Sequence, residues 1–419
     1  MVSRTISVMM SALVIALGGW GCTRPIGTVL PGGPDGGVDA SPDASTKDGQ
    51  LWDAASPTDG ACDEIMAGAC SVGSLTTIEA QTAPRFAFDV ETMADGRILV
   101  TGAEGWTGKD NLVVWILSPT TELPVDARAT VEGDWLSAGA APTMSTAALL
   151  RHTEAGATDV IWMDAQGGSI DLSAPTNLCE QCFPAFKGPV VKGGTVAVAV
   201  EHQQDSSLDI GLIHRNQPVT WVTSDSGDEP ELVALDDRVM AVYHQNQDLV
   251  AQVISWDGQL IVGPTPLGLA GITGDFGLLA NDGTVVLWAF RSGEPLGDIL
   301  EVNLDQDAQV TSQHEYSKVA SLPMGLSVCR RLTVTSVVWG EMTGPCGAGV
   351  HGMLVLAGRQ APLAGPALIS NPIKQSTSTY SLWPGCVSSA GGGLFTVIWG
   401  GWQTDANYAL YGRSIQCLE

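Results

Sequence analysis

Basic residues are scarce in this chain. Lys and Arg number 19 in 419 residues against 45 Asp and Glu, a formal net charge of −26. Nucleic-acid recognition needs a basic face that neutralises phosphates, and no Lys/Arg cluster is present to build one, so a nucleic-acid partner is not expected. Six histidines lie scattered, without the spacing of a zinc site. HExxH and GxSxG are both missing, which removes the usual anchors of a zinc protease and of an α/β-hydrolase. Beyond the N-terminus no segment is long and apolar enough to span a bilayer. Charged residues make up only 15%, and few stretches favour long helices.

What is abundant points to β structure. Fifty Gly and thirteen Trp suit a turn-rich sheet protein, and 44% hydrophobic residues can fill a sizeable core. Residues 1–21 have the layout of a secretory signal: Arg4, an apolar run from Ile6 to Leu17 too short to span a membrane, then Gly18, Gly19 and Gly21. Cys22 follows directly. Gly21-Cys22 after an apolar run resembles the lipobox of bacterial lipoproteins. The resemblance implies that Cys22 is lipidated and becomes the mature N-terminus, with Thr23 favouring the outer membrane. The alternative is plain cleavage and a soluble product. Residues 22–60, rich in Pro, Gly, Asp, Ser and Ala, cannot bury enough surface to offset ordering entropy, and they read as a disordered acidic tether. Asp/Gly-rich tethers of this kind follow the lipidated cysteine in many bacterial surface lipoproteins. Residues 61–84 read as a separate N-terminal segment holding Cys62 and Cys70.

Nine cysteines are an odd number for an oxidising compartment, and setting Cys22 aside for lipid leaves eight. Local spacing suggests bridges 62–70, 179–182, 329–346 and 386–417. A bridge 329–386 competes, because Cys329 and Cys386 both precede a similar strand.

From residue 85 to 419 the chain repeats. One strand recurs as 158–164, 195–202, 238–245, 284–290, 335–341 and 395–401, with 96–105 as a first copy. It is a β-branched run that usually ends in an aromatic: Trp162, Tyr243, Trp288, Trp339, Trp399. A second strand follows within about 20 residues, and Asp95-Gly96, Asp257-Gly258 and Asp282-Gly283 favour tight turns. Copies roughly 35 to 60 residues apart, with strands and no helix, match the repeat of a β-propeller, whose blades must stack to cover their faces. The pattern resembles propeller proteins in general, without a subfamily signature. The expectation is an all-β ring of seven blades (six or eight being alternatives), with the aromatics packed between blades and residues Leu75 to Gln81 completing the last blade. A pair of β-sandwich domains is the rival.

Candidate chemistry is thin. Gly347-Ala-Gly349-Val-His-Gly352 spells GxGxxG, but a strand-like run rather than a helix follows it, so it reads as a loop. Cys179-Glu-Gln-Cys182 has redox spacing but no thioredoxin-like context, so a small loop-closing disulfide is expected. Asn303, Asp305 and Asp307 begin like a calcium loop, yet Ala308 and His314 stand where Gly and Glu should. Thr223-Ser-Asp225-Ser-Gly227 resembles the front of the Asp-box turn of sialidase-like propellers, once only, and reads as a hairpin turn. Carboxylates could still meet in a propeller's channel; the candidates are Asp89, Glu91, Asp164, Glu201, Asp236, Asp237 and Glu341. Glu201 and Glu341, which end aligned strands, are the least arbitrary.

The functional expectation is a non-enzymatic envelope protein, monomeric and held at a membrane by lipid, that shows a propeller on a stalk and binds a protein or glycan through blade loops. No catalytic residue, metal or cofactor is assigned. The alternative is a secreted polysaccharide hydrolase or lyase with carboxylates in the channel.

Overall fold

The computed structural model describes residues 70–417 apart from 82–88, 105–110, 132–137, 143–145, 154–155, 167, 185–188, 203–206, 247, 294–296, 321–322, 342–348, 357–363, 370–383, 389–393 and 405–406. The expected signal, Cys22, the expected tether, Cys62 and Cys346 therefore lie outside the described residues. The fold is all-β: seven small antiparallel sheets form a ring, a seven-bladed β-propeller.

Blade 1 spans Asp89–Thr92, Ile98–Glu104, Asn111–Leu117 and Val125–Val131, in that spatial order. Blades 4, 5 and 6 repeat this pattern from Asp228–Ala234, Ile272–Asn281 and Pro323–Arg331. Blade 2 begins at Ala138–Pro142, and blade 3 at the split pair Cys182–Pro184 and Val190–Lys192. In blade 7, Gly385–Ser388, Leu394–Thr404 and Asn407–Cys417 come from the end of the chain. Cys70–Val72 and Thr76–Gln81 supply its outermost strand, with Thr76 opposite Gly412 and Gln81 opposite Tyr408. The segment from residue 75 to 81 thus seals the ring as its sequence suggested.

Seven apolar clusters fill the seven gaps between blades, one each. Alternation along the second strands produces them. In Thr284–Arg291 of blade 5, Val285, Leu287 and Ala289 face blade 4, whereas Val286, Trp288 and Phe290 face blade 6. Both faces of these strands are buried, which is why they read as continuous apolar runs. Trp115, Trp288, Trp339, Trp399 and Tyr243 are all buried in these gaps, each with 2% exposure or less. A large apolar side chain buried in such a gap contributes about 1.5–3 kcal/mol relative to exposure, so each blade is stabilised by stacking on its neighbours.

One alignment of the repeat shifts. Thr158–Gln166 is the third strand of blade 2, and Thr146–His152, which lacks an aromatic, is the second. The blade count is unaffected.

Among the described residues two disulfides join blades. Cys179 and Cys182, with Cα atoms 6.2 Å apart, link the end of blade 2 to the first strand of blade 3. Cys329 bonds Cys386, Cα–Cα 5.6 Å, between the first strands of blades 6 and 7. The expected bridges 329–346 and 386–417 are thereby overturned. Adjacent first strands bring equivalent positions together, whereas Cys417 sits two strands further out in blade 7.

Candidate functional site

The first strands touch their neighbours all the way round and line the axial channel. A first strand already paired with the second strand of its own blade has an outer edge of backbone groups left over, and those groups must find other partners. Side chains of the preceding blade supply some of them. Leu278 N–H donates to Glu231 Oε1 at 2.9 Å, Gly325 N–H to Asp275 Oδ2 at 2.6 Å and Cys386 N–H to Ser327 Oγ at 3.1 Å. At the closing junction Thr92 Oγ1 donates to Ser388 O at 3.2 Å. Such bonds thus lace blades 4 to 7 and blade 1 at each junction.

Each of the first strands of blades 4, 5 and 6 carries a register shift where these side chains arise: between Asp228 and Glu231, Ile272 and Phe276, and Met324 and Ser327. A bulge bends the strand and re-aims its side chains. The left-handed residues that make the bulges are Glu229 (φ 50°), Gly274 (φ 75°) and Gly325 (φ 60°). Glycine takes that conformation without strain. Glu229 does not, and the strain sits at an exposed position at one end of the channel, here termed the entry face because the first strands begin there.

Carboxylates gather at that face. Glu91 of blade 1 is pushed well above the ordinary carboxylate range, first by burial and then by the charges of Asp89 and Glu231. Blades 1 and 4 share no interface, so the influence of Glu231 on Glu91 acts across the channel. Glu201 ends the second strand of blade 3, half-buried, and is raised to about 7 by burial and by Asp228. Asp228 itself is raised by burial, with an opposing effect from His244, its partner in the ladder. His244 Nε2 lies 3.2 Å from Gly274 O and 3.9 Å from Glu229, while His202 Nε2 lies 2.8 Å from Asp209 Oδ2. One rim therefore holds carboxylates from blades 1, 3 and 4 with two imidazoles beside them.

Of the sequence candidates, Asp89, Glu91 and Glu201 join this group. Glu341 does not: it is fully buried in blade 6, 3.7 Å from His351, on whose ring Trp339 stacks. Asp164, Asp236 and Asp237 sit at the opposite end of the ring, where Arg215, Lys192 and Arg238 pair with them. The Asn303–Asp307 stretch is a capped turn. Asp305 Oδ1 accepts from the N–H groups of Asp307 and Gln309, Asp307 pairs with Arg238 of blade 4, and Asn303 donates to Ser312. Among the described residues no group of three or more His, Cys, Asp or Glu is placed to hold a metal ion. Residues 223–226 belong to the outermost strand of blade 3, and Gly227 leads into blade 4, so this is an inter-blade link and not a hairpin turn. Gly349–Leu356 is a strand, so the second half of the GxGxxG spelling is sheet rather than loop.

Sequence reasoning missed Glu231, Asp228 and His244. One signal was present: Asp89-Val-Glu91 and Asp228-Glu-Pro-Glu231 stand at like distances before aligned second strands, and repeat alignment would have superposed them.

No protein-family model and no curated protein matches the chain. Among solved structures it is similar to a subtype N10 neuraminidase-like protein of A/little yellow-shouldered bat/Guatemala. That match has 8% identity and a TM-score of 0.42, and covers 83% of this chain and 99% of the other. It is also similar to a protein of unknown function from Dyadobacter fermentans, with 11% identity, a TM-score of 0.47 and the same coverage of 83% and 99%.

Proposed function

We propose that this is an exported, lipid-anchored binding protein, monomeric and tethered at Cys22, whose entry face takes up a partner through ammonium or guanidinium groups on a protein or an amino-bearing glycan. One observation carries the reading: carboxylates from non-adjacent blades act on one another across the channel, and burial and mutual repulsion raise their proton affinity. A carboxylate held in that state gains from a nearby cation more than a solvated one does, because the cation relieves both burial and repulsion. The rim stands on a rigid ring, so the charges are positioned before the ligand arrives.

Calorimetric titration with tetralysine at low salt tests this. Wild type binds, Glu91→Gln and Glu201→Gln each weaken binding several-fold, and salt weakens it further. Equal affinity of wild type and both variants would remove the entry face from the reading. Mass spectrometry of the mature protein checks the anchor, since an unmodified Cys22 in the purified chain refutes tethering.

A second reading rests on Glu201 alone. A carboxyl raised to about 7 is suited to protonate a leaving oxygen, as a polysaccharide hydrolase or lyase requires. Release of reducing ends from a polysaccharide panel, abolished by Glu201→Gln, would favour it over binding.

A further inference from the structure

Cys70 and Cys417 stand directly opposite one another where Cys70–Val72 pairs with the last strand, Asn407–Cys417. Opposed residues in an antiparallel ladder alternate between hydrogen-bonded and non-hydrogen-bonded positions. The phase is fixed here by Gly73, whose N–H donates to Ser414 O at 2.8 Å. Gly73 and Ser414 are therefore a hydrogen-bonded pair. Counting back along the register makes Val72 with Ile415 a non-hydrogen-bonded pair, Ser71 with Gln416 a bonded one, and Cys70 with Cys417 non-hydrogen-bonded again. Such a position brings Cα atoms to about 4.5 Å, at the near end of the roughly 4.4–6.8 Å that a disulfide spans. The partner expected for Cys417 is taken, because Cys386 is bonded to Cys329.

We propose that Cys70 and Cys417 form a disulfide that closes the propeller covalently, joining Cys70–Val72 to the last strand of blade 7. Both thiols lose their hydrogen as the sulfur–sulfur bond forms. The two electrons and two protons pass to an oxidised dithiol protein, which leaves as its dithiol. This assignment excludes a 62–70 bridge. Without the bond, Cys70–Val72 is held to the last strand by a three-residue ladder; with it, a pull on Cys70 is delivered to blade 7 through a covalent link.

The test is cysteine mapping of the full chain produced under oxidising conditions, alkylated without reductant, digested and analysed by mass spectrometry. The expected product joins the Cys70 peptide to the Cys417 peptide and separates on reduction. In Cys70→Ser, Cys417 becomes alkylatable, and the reverse holds in Cys417→Ser. Each single variant lowers the melting temperature by roughly 5 °C, and the double variant by no more than either. A Cys62–Cys70 peptide, or an alkylated Cys417 in the wild-type protein, overturns the proposal. Should the variants fail to fold, the wild-type map decides alone.

Discussion

Replacing Glu201 by Gln isolates the electrostatic character of the entry face, because the side chain keeps its shape and loses its charge. Glu201 is held at about 7 against an ordinary 4.5, with burial the larger cause and Asp228 the smaller. The folded protein therefore binds this proton more tightly than the unfolded chain does. Below pH 4.5 both forms are protonated and nothing is lost; as pH rises through 7 the folded form must carry a charge it disfavours, and stability falls. The gap corresponds to about 3 kcal/mol at most, and partial solvent contact reduces it to about 1–2 kcal/mol. Glu201→Gln escapes that penalty. Urea unfolding at pH 8 should show the variant more stable than wild type by that amount, and at pH 5 most of the difference should have vanished. A gain of equal size at both pH values, or a loss at pH 8, would refute the reasoning. The charge that lowers stability here is the same one assigned to ligand capture, so the variant that folds better should bind tetralysine worse.

Other substitutions probe the frame. His152 is buried against Phe183, and burial drives its imidazole down to about 4 from 6.5. The unfolded chain takes up that proton first, so stability should drop between pH 6.5 and pH 4 by about 2–3 kcal/mol, and His152→Leu should flatten the profile in acid denaturation. Trp288→Ala and Trp339→Ala empty one interface, between blades 5 and 6, and each should cost about 3–5 kcal/mol in denaturant unfolding. Gly385→Ala should destabilise by about 1–3 kcal/mol, since an added Cβ would lie 2.2 Å from Val90 Cγ2 where blades 7 and 1 meet. Glu229→Gly should raise stability slightly, by about 1 kcal/mol at most, by relieving a left-handed backbone, while weakening a cationic ligand; no gain in unfolding midpoint would show that the bulge stores no strain.

The ring was legible in the sequence because its second and third strands are buried on both faces. Runs such as residues 284–290 and 334–339 have no polar alternation to dilute the pattern, and their aromatics mark the copies. Blade 2 misled for the same reason: Trp162 gives its third strand the look of a second. First strands were harder to see. Asp228–Ala234 and Pro323–Arg331 are bulged, contain Pro or Gly and mix polar with apolar residues, since one edge faces a channel instead of a sheet. The rim was only partly foreseen for that reason, with Asp89, Glu91 and Glu201 named and Glu231 overlooked. Pairing 329 with 386 follows from equivalence of position rather than from nearness along the chain. Sequence spacing weighs the second and is silent on the first.

The closing strand also imposes an order in time. Residues 76–81 are synthesised early, yet their place lies beside residues 408–412, on the order of 330 residues later in the chain. Until that last stretch exists, the early segment has no sheet to join. Blades 1 to 6 can accumulate one against the next, but the final gap stays open. An aborted or truncated chain, however long, would then leave two raw ends where a complete one leaves none.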